Sequence, residues 1–385
     1  MRGCGDRAPA GGVENRFLDS VCRKLKTHRQ PDRQELTYAI RQERVNGRMF
    51  ASLWFRTRGC RRGQHGGCTV CNYGYARPPS ATEMVNSVRE GLLGLNQDET
   101  AALLVSPSGS MFDEWEVPDG ARKGILSLIR ETPCRSFTCE TRADTVTDNR
   151  VREYASFLGN KVASVEIGLE SASAWVLKYC LNKSLKPGSY LKAIRLLRKH
   201  GIRSIANIML GSPFLSPRES IDDAVFSVVW ALSNGTDECV LFPVHVKRWT
   251  LAEWLWRRGL YSPPSLWSLV EVLWRLGPQR TRRVTISWYR PYRQRTARSE
   301  LDLARDLALV LSPTTCDNCV AEVINMLDAF RCGGGFAVVE RLRALDCSCK
   351  ARWRASLESR PLAGLEGRVR LAYDVIGREI LGEAR

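Results

Sequence analysis

No apolar run opens this chain. The stretch to about Arg33 contains Gly, Arg and Asp, so neither a signal peptide nor a transmembrane span is expected there. A cytoplasmic protein with no membrane partner is the expectation. Internal repeats and low-complexity tracts are also lacking, and 44% apolar content in 385 residues is ordinary for a globular chain with a sizeable core. Without an export signal, the fourteen cysteines read as metal ligands and reduced thiols, not disulfides, and oxygen sensitivity follows. Carboxylates are few beside the cations: 41 acidic against 58 basic residues leave a net charge of +17, which favours a polyanionic partner such as nucleic acid. From Arg280 to Arg298 there is no carboxylate at all. Arg282, Arg283, Arg290, Arg293 and Arg295 are interleaved there with Trp288, Tyr289 and Tyr292, a mixture in which guanidinium groups meet phosphates while rings stack on splayed bases. A solvated basic face is the plain alternative. Lys247, Arg248, Arg257 and Arg258 form a weaker patch beside Trp249, Trp254 and Trp256, which read as core.

A fourth thiolate is missing from the most informative motif, Cys60-x7-Cys68-x2-Cys71. A cubane iron-sulfur cluster normally takes four cysteines, so three leave one iron open to a small molecule. Gly59, Gly63, Gly66, Gly67 and Gly74 suit a loop that wraps a compact cluster with its backbone. Half of a zinc site, with His65 beside Cys68 and Cys71, is a competing reading, and buried core thiols are the bland one.

The loop resembles the cluster motif of the radical S-adenosylmethionine (SAM) enzymes, with Val70 where an aromatic residue often stands and x7 in place of the usual x3 spacing. Gly66-Gly67-Cys68-Thr69 and Cys71-Asn72-Tyr73-Gly74 make it most similar to the archaeosine-synthesis radical SAM enzymes (RaSEA), relatives of the elongator catalytic subunit. The likeness extends from about Leu36 to Lys350. It includes the segment from Ser106 to Asp113, Cys139-Glu140-Thr141-Arg142, the segment from Val165 to Ser171, Ile205 to Pro213, and Gly259 to Ser268. The resemblance implies a 4Fe-4S cluster on Cys60, Cys68 and Cys71, with SAM met by Gly109, Ser110, Glu140 and Glu170. Three of these four also have a structural reading. Gly109 is a turn residue; Glu140 and Arg142 share a strand face and pair with each other; Glu170 caps a helix beginning near Ser173.

Short apolar runs at Ala101 to Val105, Val162 to Leu169 and Ser204 to Leu210 end in Gly, Ser or Pro and alternate with helical stretches such as Pro187 to His200. That alternation predicts a parallel α/β sheet with chemistry at the C-terminal strand ends, and the resemblance selects a partial (β/α)6 TIM-like barrel. Residues 1–35 are expected to be flexible or irregular, 36–300 to form the barrel, and 301–385 to form a helical, Cys-rich extension. In that extension Cys316, Cys319, Cys347 and Cys349 can make a four-thiolate site for structural zinc or for a second cluster, with Gly333 to Gly335 as the loop between the halves. Unligated or redox-active thiols are the plain alternative, because Cys-x-Cys is tighter than the usual knuckle. The resemblance further implies reductive SAM cleavage to a 5'-deoxyadenosyl radical, driven by an external electron donor. Its substrate would be a lysine adduct on a 7-deazaguanine base of tRNA, made by a lysine-transferring partner enzyme and split at a C–N bond to archaeosine. A radical SAM enzyme acting on a small molecule in secondary metabolism is the alternative within enzymes. A non-catalytic, cluster-containing RNA-binding protein is the alternative outside them.

Overall fold

The computed structural model describes residues 15–27, 36–73, 77–290, 308–359, 361 and 363–382. Tyr292, Arg293 and Arg295 lie outside them. Strand β1 (Tyr38–Val45) pairs antiparallel with β2 (Arg48–Phe55), and from β2 onward the sheet is parallel. It runs through β3 (Ala102–Pro107), β4 (Ser136–Thr141), β5 (Val162–Glu170), β6 (Arg203–Leu210) and β7 (Glu238–Pro243). The next strand, β8 (Val246–Lys247), leaves the sheet, and β9 (Val284–Ile286) completes it. The six strands β2 to β7 are the expected barrel strands, and the three apolar runs named from the sequence are β3, β5 and β6.

In the half-barrel sheet, one parity of each strand is apolar and packs under the helices. Leu53, Phe55, Leu103, Val105, Phe137, Cys139, Val165, Ile167, Ala206, Ile208 and Leu241 are buried in the core shared with the helices. Their neighbours of opposite parity, Ser106, Glu140, Glu166 and Asn207, are polar and line the concave side. Helices α3 (Ala81–Leu93), α4 (Asp119–Glu131), α5 (Asp148–Leu158), α6 (Pro187–Lys199), α7 (Pro217–Ser233) and α9 (Leu266–Thr281) follow successive strands on the convex side. Ser80 and Ser216 start α3 and α7 with capping boxes to Glu83 and Glu219.

The two edge strands, β1 and β9, are not hydrogen-bonded to each other. One side chain reaches both: Arg331 donates from Nη2 to Glu43 Oε1 at 2.7 Å and from Nη1 to the Ile286 carbonyl. Arg331 sits in the turn between α10 (Val320–Ala329) and α11 (Gly335–Ala344), ahead of α12 (Ser348–Glu358) and α13 (Leu365–Ile376). A two-stranded sheet of β8 with β10 (Leu309–Leu311) lies apart from the barrel sheet.

One expectation fails. Within the supposedly irregular N-terminal segment, Arg16–Lys26 is a helix, α1, capped by the Asn15 side chain. Phe17, Leu18, Val21, Cys22 and Leu25 give it an apolar face despite the absence of any continuous apolar run, and that face packs beside α8 (Leu251–Arg257) and α13. No described helix is long and apolar enough to cross a membrane.

Phe137 is fully buried on β4 with its ring 5.7 Å from that of Tyr154, whose hydroxyl donates to the Ser164 carbonyl at 2.7 Å. Truncating Phe137 to Ala is expected to cost about 3–5 kcal/mol. Tyr154→Phe, which removes only a hydrogen bond, should cost about 0.5–1.5 kcal/mol. Denaturant melts of the two variants check the order.

Candidate functional site

The three cysteines leave the C-terminal end of β2, the first parallel strand. Cys60 precedes the single-turn helix α2 (Arg61–Gln64), and the Cys71 N–H donates to the Cys68 carbonyl at 3.2 Å. The loop has little regular structure, and side chains from three directions hold it. The buried Glu116 carboxylate accepts from the Arg61 N–H at 2.6 Å and from the Ser110 N–H, and pairs with Arg142. Arg142 also pairs with Asp113, and its Nη1 lies 3.6 Å from Cys60 Sγ. On the opposite side Arg62 pairs with Asp19 of α1 at 2.5 Å, Lys26 donates to the Gly66 carbonyl at 2.6 Å, and Asn182 donates to the Gly67 carbonyl at 2.8 Å. Gly66, at φ +110°, could carry no side chain, because a Cβ would stand 2.4 Å from the Asp19 carbonyl oxygen.

Burial pushes the Cys60 and Cys68 thiols up, Cys68 to about 12. Glu116 raises Cys60 further while Arg142 opposes, and Lys183 opposes at Cys68. Such thiols become strong ligands when a cation offsets the cost of their burial. Among the described residues, three or more ligand atoms of His, Cys, Asp or Glu come within 4.8 Å of one another at Cys316, Cys319, Cys347 and Cys349. Neither His65 with Cys68 and Cys71 nor the three thiols Cys60, Cys68 and Cys71 form such a group, and His65 is exposed.

The four residues expected to meet SAM fall into two groups. Gly109 and Ser110 lie beneath the loop. A Cβ on Gly109 would meet Glu116 Oε2 at 2.2 Å, so this glycine is what lets the carboxylate in. Fully buried Ser110 shares hydroxyl hydrogen bonds with Thr141 and Thr145. Glu140 and Glu170 belong to the concave side. Glu140 does not pair with Arg142, which lies past the end of β4; it accepts from Ser106 Oγ and stands in register with Glu166 on β5. Asn207 hydrogen-bonds both carboxyls. Burial raises both, Glu166 to about 8, with the facing Glu140 raising it further. Glu170 caps no helix: the Val176 N–H bonds to Ser173 Oγ, while Glu170 Oε1 pairs with Lys183 at 2.8 Å. Glu170 takes the left-handed φ of +65° at the end of β5, and its buried Oε2 has no hydrogen-bond partner.

Glu116, Lys183 and Asn182 escaped the sequence reading, since no motif spacing marks them, and Asp113 entered it only as the end of the segment from Ser106 to Asp113. Lys247 was read only as part of a basic patch. Its ammonium stands 5.4 Å from the Tyr73 ring centre and 5.9 Å from that of Trp288, and burial lowers its pKa against the pull of Cys71 and Glu170. In the basic tract, Arg290 pairs with Asp328 at 2.9 Å, Tyr289 is buried with its hydroxyl on the same carboxylate, and Arg283 donates to the Asp237 carbonyl at 2.8 Å. Arg282 is exposed at the end of α9.

Two substitutions test this geometry. Gly109→Ala should displace Glu116, lower the iron bound per chain after anaerobic reconstitution and lower Tm; unchanged iron content would refute the role given to Glu116. Glu166 has a folded pKa above its unfolded one, so the folded chain keeps a proton that the unfolded chain has released between about pH 4.5 and 8. Stability from this group is therefore present at low pH and lost as pH rises through about 8. Glu166→Gln should raise Tm more at about pH 8.5 than at about pH 5.5, and an equal shift at both would contradict the assignment.

No protein-family model matches the chain. It is 29% identical over 353 residues to archaeosine synthase subunit beta of Methanosarcina acetivorans, covering 89% of this chain and 96% of that protein. To archaeosine synthase subunit beta of Thermococcus kodakarensis it is 31% identical over 239 residues, covering 60% of this chain and 74% of that protein. Among solved structures, methylornithine synthase superposes with a TM-score of 0.45 at 14% identity, over 89% of this chain and 91% of that one. Elp3 of Methanocaldococcus infernus superposes with a TM-score of 0.43 at 20% identity, over 53% of this chain and 52% of that one. On its sequence likeness to the Methanosarcina and Thermococcus proteins, the chain belongs to the family of archaeosine synthase beta subunits.

Proposed function

We propose that this enzyme splits the C–N bond of a lysine adduct on a 7-deazaguanine base of tRNA, leaving the formamidine of archaeosine. The carrying observation is a three-thiol loop at the C-terminal end of the first parallel strand, clamped by Glu116 and adjoining a polar concave face. Cys60, Cys68 and Cys71 would hold a 4Fe-4S cluster. The half-buried thiols and the unpartnered Glu170 Oε2 suit a cluster with a polar ligand beside it. When bound, the cluster would supply the one-electron chemistry that cleaves SAM, with an external donor as the electron source, for hydrogen abstraction from the lysine side chain.

The chain's own residues position the reactants and keep water away. Arg142 beside Cys60 and Lys183 near Cys68 offset negative charge at the thiolates. Glu170 and Lys183 present an acceptor and a cation together at the end of β5, suited to the charged groups of an amino acid. Below about pH 8 the Glu140 and Glu166 pair holds a proton, so a donor and an acceptor lie side by side on the concave face. Arg282 with Arg293 and Arg295 would meet tRNA phosphates. The word beta in the relatives' name supports a second subunit, and a lysine-transferring enzyme is the reading for that partner.

The test is anaerobic turnover of reconstituted protein with SAM and dithionite, with and without tRNA carrying the lysine-adduct base. Archaeosine in the digested tRNA and faster deoxyadenosine formation are the expected results, and both should vanish in Cys68→Ala. Deoxyadenosine with unaltered tRNA would overturn the tRNA substrate and favour a small molecule.

A further inference from the structure

Cys316, Cys319, Cys347 and Cys349 come from two segments separated by α10 and α11, yet their sulfurs converge. Cys316 Sγ lies 3.6 Å from Cys319 Sγ and 3.4 Å from Cys347 Sγ, and Cys319 Sγ lies 3.5 Å from Cys349 Sγ. Disulfide sulfurs would stand about 2.05 Å apart. Four thiolates around one zinc ion at about 2.3 Å, in a tetrahedron, would be separated by about 3.8 Å. The thiolates of a cubane bind four different irons and point outward from its corners, so they stand wider than the ligands of one ion. The observed spacing is that of a single-ion shell.

The surroundings suit the double negative charge of a zinc tetrathiolate. Cys319 precedes α10 and Cys347 precedes α12, so two helix N-termini meet at the sulfurs. The buried Trp267 Nε1–H donates to Cys349 Sγ at 3.2 Å, and the Lys350 ammonium lies 5.0 Å from the Trp267 ring centre. Cys332 is exposed and bonds to the Arg44 carbonyl, outside this set.

We infer that Cys316, Cys319, Cys347 and Cys349 bind one zinc ion, and that this ion staples the base of a helical hairpin whose tip closes the seam of the barrel. The hairpin is α10 and α11, and Arg331 at its tip holds Glu43 of β1 and Ile286 of β9. The same turn accepts the Asn46 and Gly47 N–H groups of the β1–β2 turn on the Arg331 and Cys332 carbonyls, both at 3.0 Å. Gly333, at φ +106°, lets the chain reverse there, against the backbone of Asn46. With its base fixed by the ion, the hairpin presents Arg331 already oriented, and the edge strands need no direct pairing. The site is separate from the three-cysteine loop, so zinc and iron can be counted independently.

The experiment is metal analysis of the full-length chain combined with hydrogen exchange. Wild type should carry one zinc per chain, and Cys68→Ala should keep that zinc while losing iron. A Cys347→Ser, Cys349→Ser double variant should lose zinc, retain reconstituted iron, and exchange amides in Tyr38–Val45 and Val284–Ile286 about tenfold faster or more. Arg331→Ala should speed the same exchange with zinc retained. If the double variant does not fold, stripping zinc from wild type with a chelator gives the same exchange readout. Co2+ should then refill the site with the visible absorption of a tetrahedral thiolate. Iron persisting in Cys68→Ala, or a zinc-free wild type with all four thiols open to alkylation, would overturn the zinc assignment. Unchanged exchange at the edge strands after zinc loss would overturn the stapling.

Discussion

A carboxylate taken fully out of water is expensive unless donors surround it, and Glu116 is surrounded. Two backbone N–H groups, from Arg61 in the cysteine loop and Ser110 after β3, converge on it together with the Arg142 guanidinium from the end of β4. These three segments are remote in sequence, and their meeting at one buried charge fixes the first cysteine relative to the barrel. Asp113 holds both Arg61 and Arg142, so the two cations are tied to each other as well. A loop with a single helical turn of its own thereby acquires a defined position, to which buried Val70 adds an apolar contact.

The second anchor is of a different kind. Asp19, Lys26 and Asn182 bind backbone and side-chain groups of the loop's far half, and Asp19 and Lys26 belong to a helix that precedes the barrel in the chain. Anchoring the loop thus requires strands and the N-terminal helix at once. The concave face follows another rule: carboxyls at Glu140 and Glu166 lie deep, whereas Glu170 stands with the cation Lys183 at the strand end. Charge of both signs is available where strands end, as expected for a barrel that binds small charged groups at that rim.

Much of the frame was legible in the chain itself. Apolar runs of five to eight residues ending in Gly, Ser or Pro became β3, β5 and β6, because a strand buried on its convex side needs few other signals. The cysteine spacing marked its loop. What escaped was long-range pairing. Glu140 and Arg142 share parity along the chain, but the strand stops between them and Arg142 turns to Asp113 and Glu116. Glu170 looked like a helix cap until Lys183, thirteen positions on, claimed one of its oxygens. Helix α1 was hidden because its apolar positions are interrupted by charge, and the seam-closing role of Arg331 depends on a contact 288 residues distant from Glu43.

The remaining thiols lead somewhere else. Burial drives Cys22 to about 11 and Cys239 to about 12, and lifts Cys139 and Cys180 well above the ordinary thiol range. A thiol that does not ionise is a poor nucleophile. These four sulfurs are shielded by burial, whereas Cys332 is exposed and Cys60, Cys68, Cys71, Cys316, Cys347 and Cys349 are half-buried, so oxidants and alkylating agents reach those first. Damage from air would then fall first on these accessible cysteines, with the folded scaffold still intact around them.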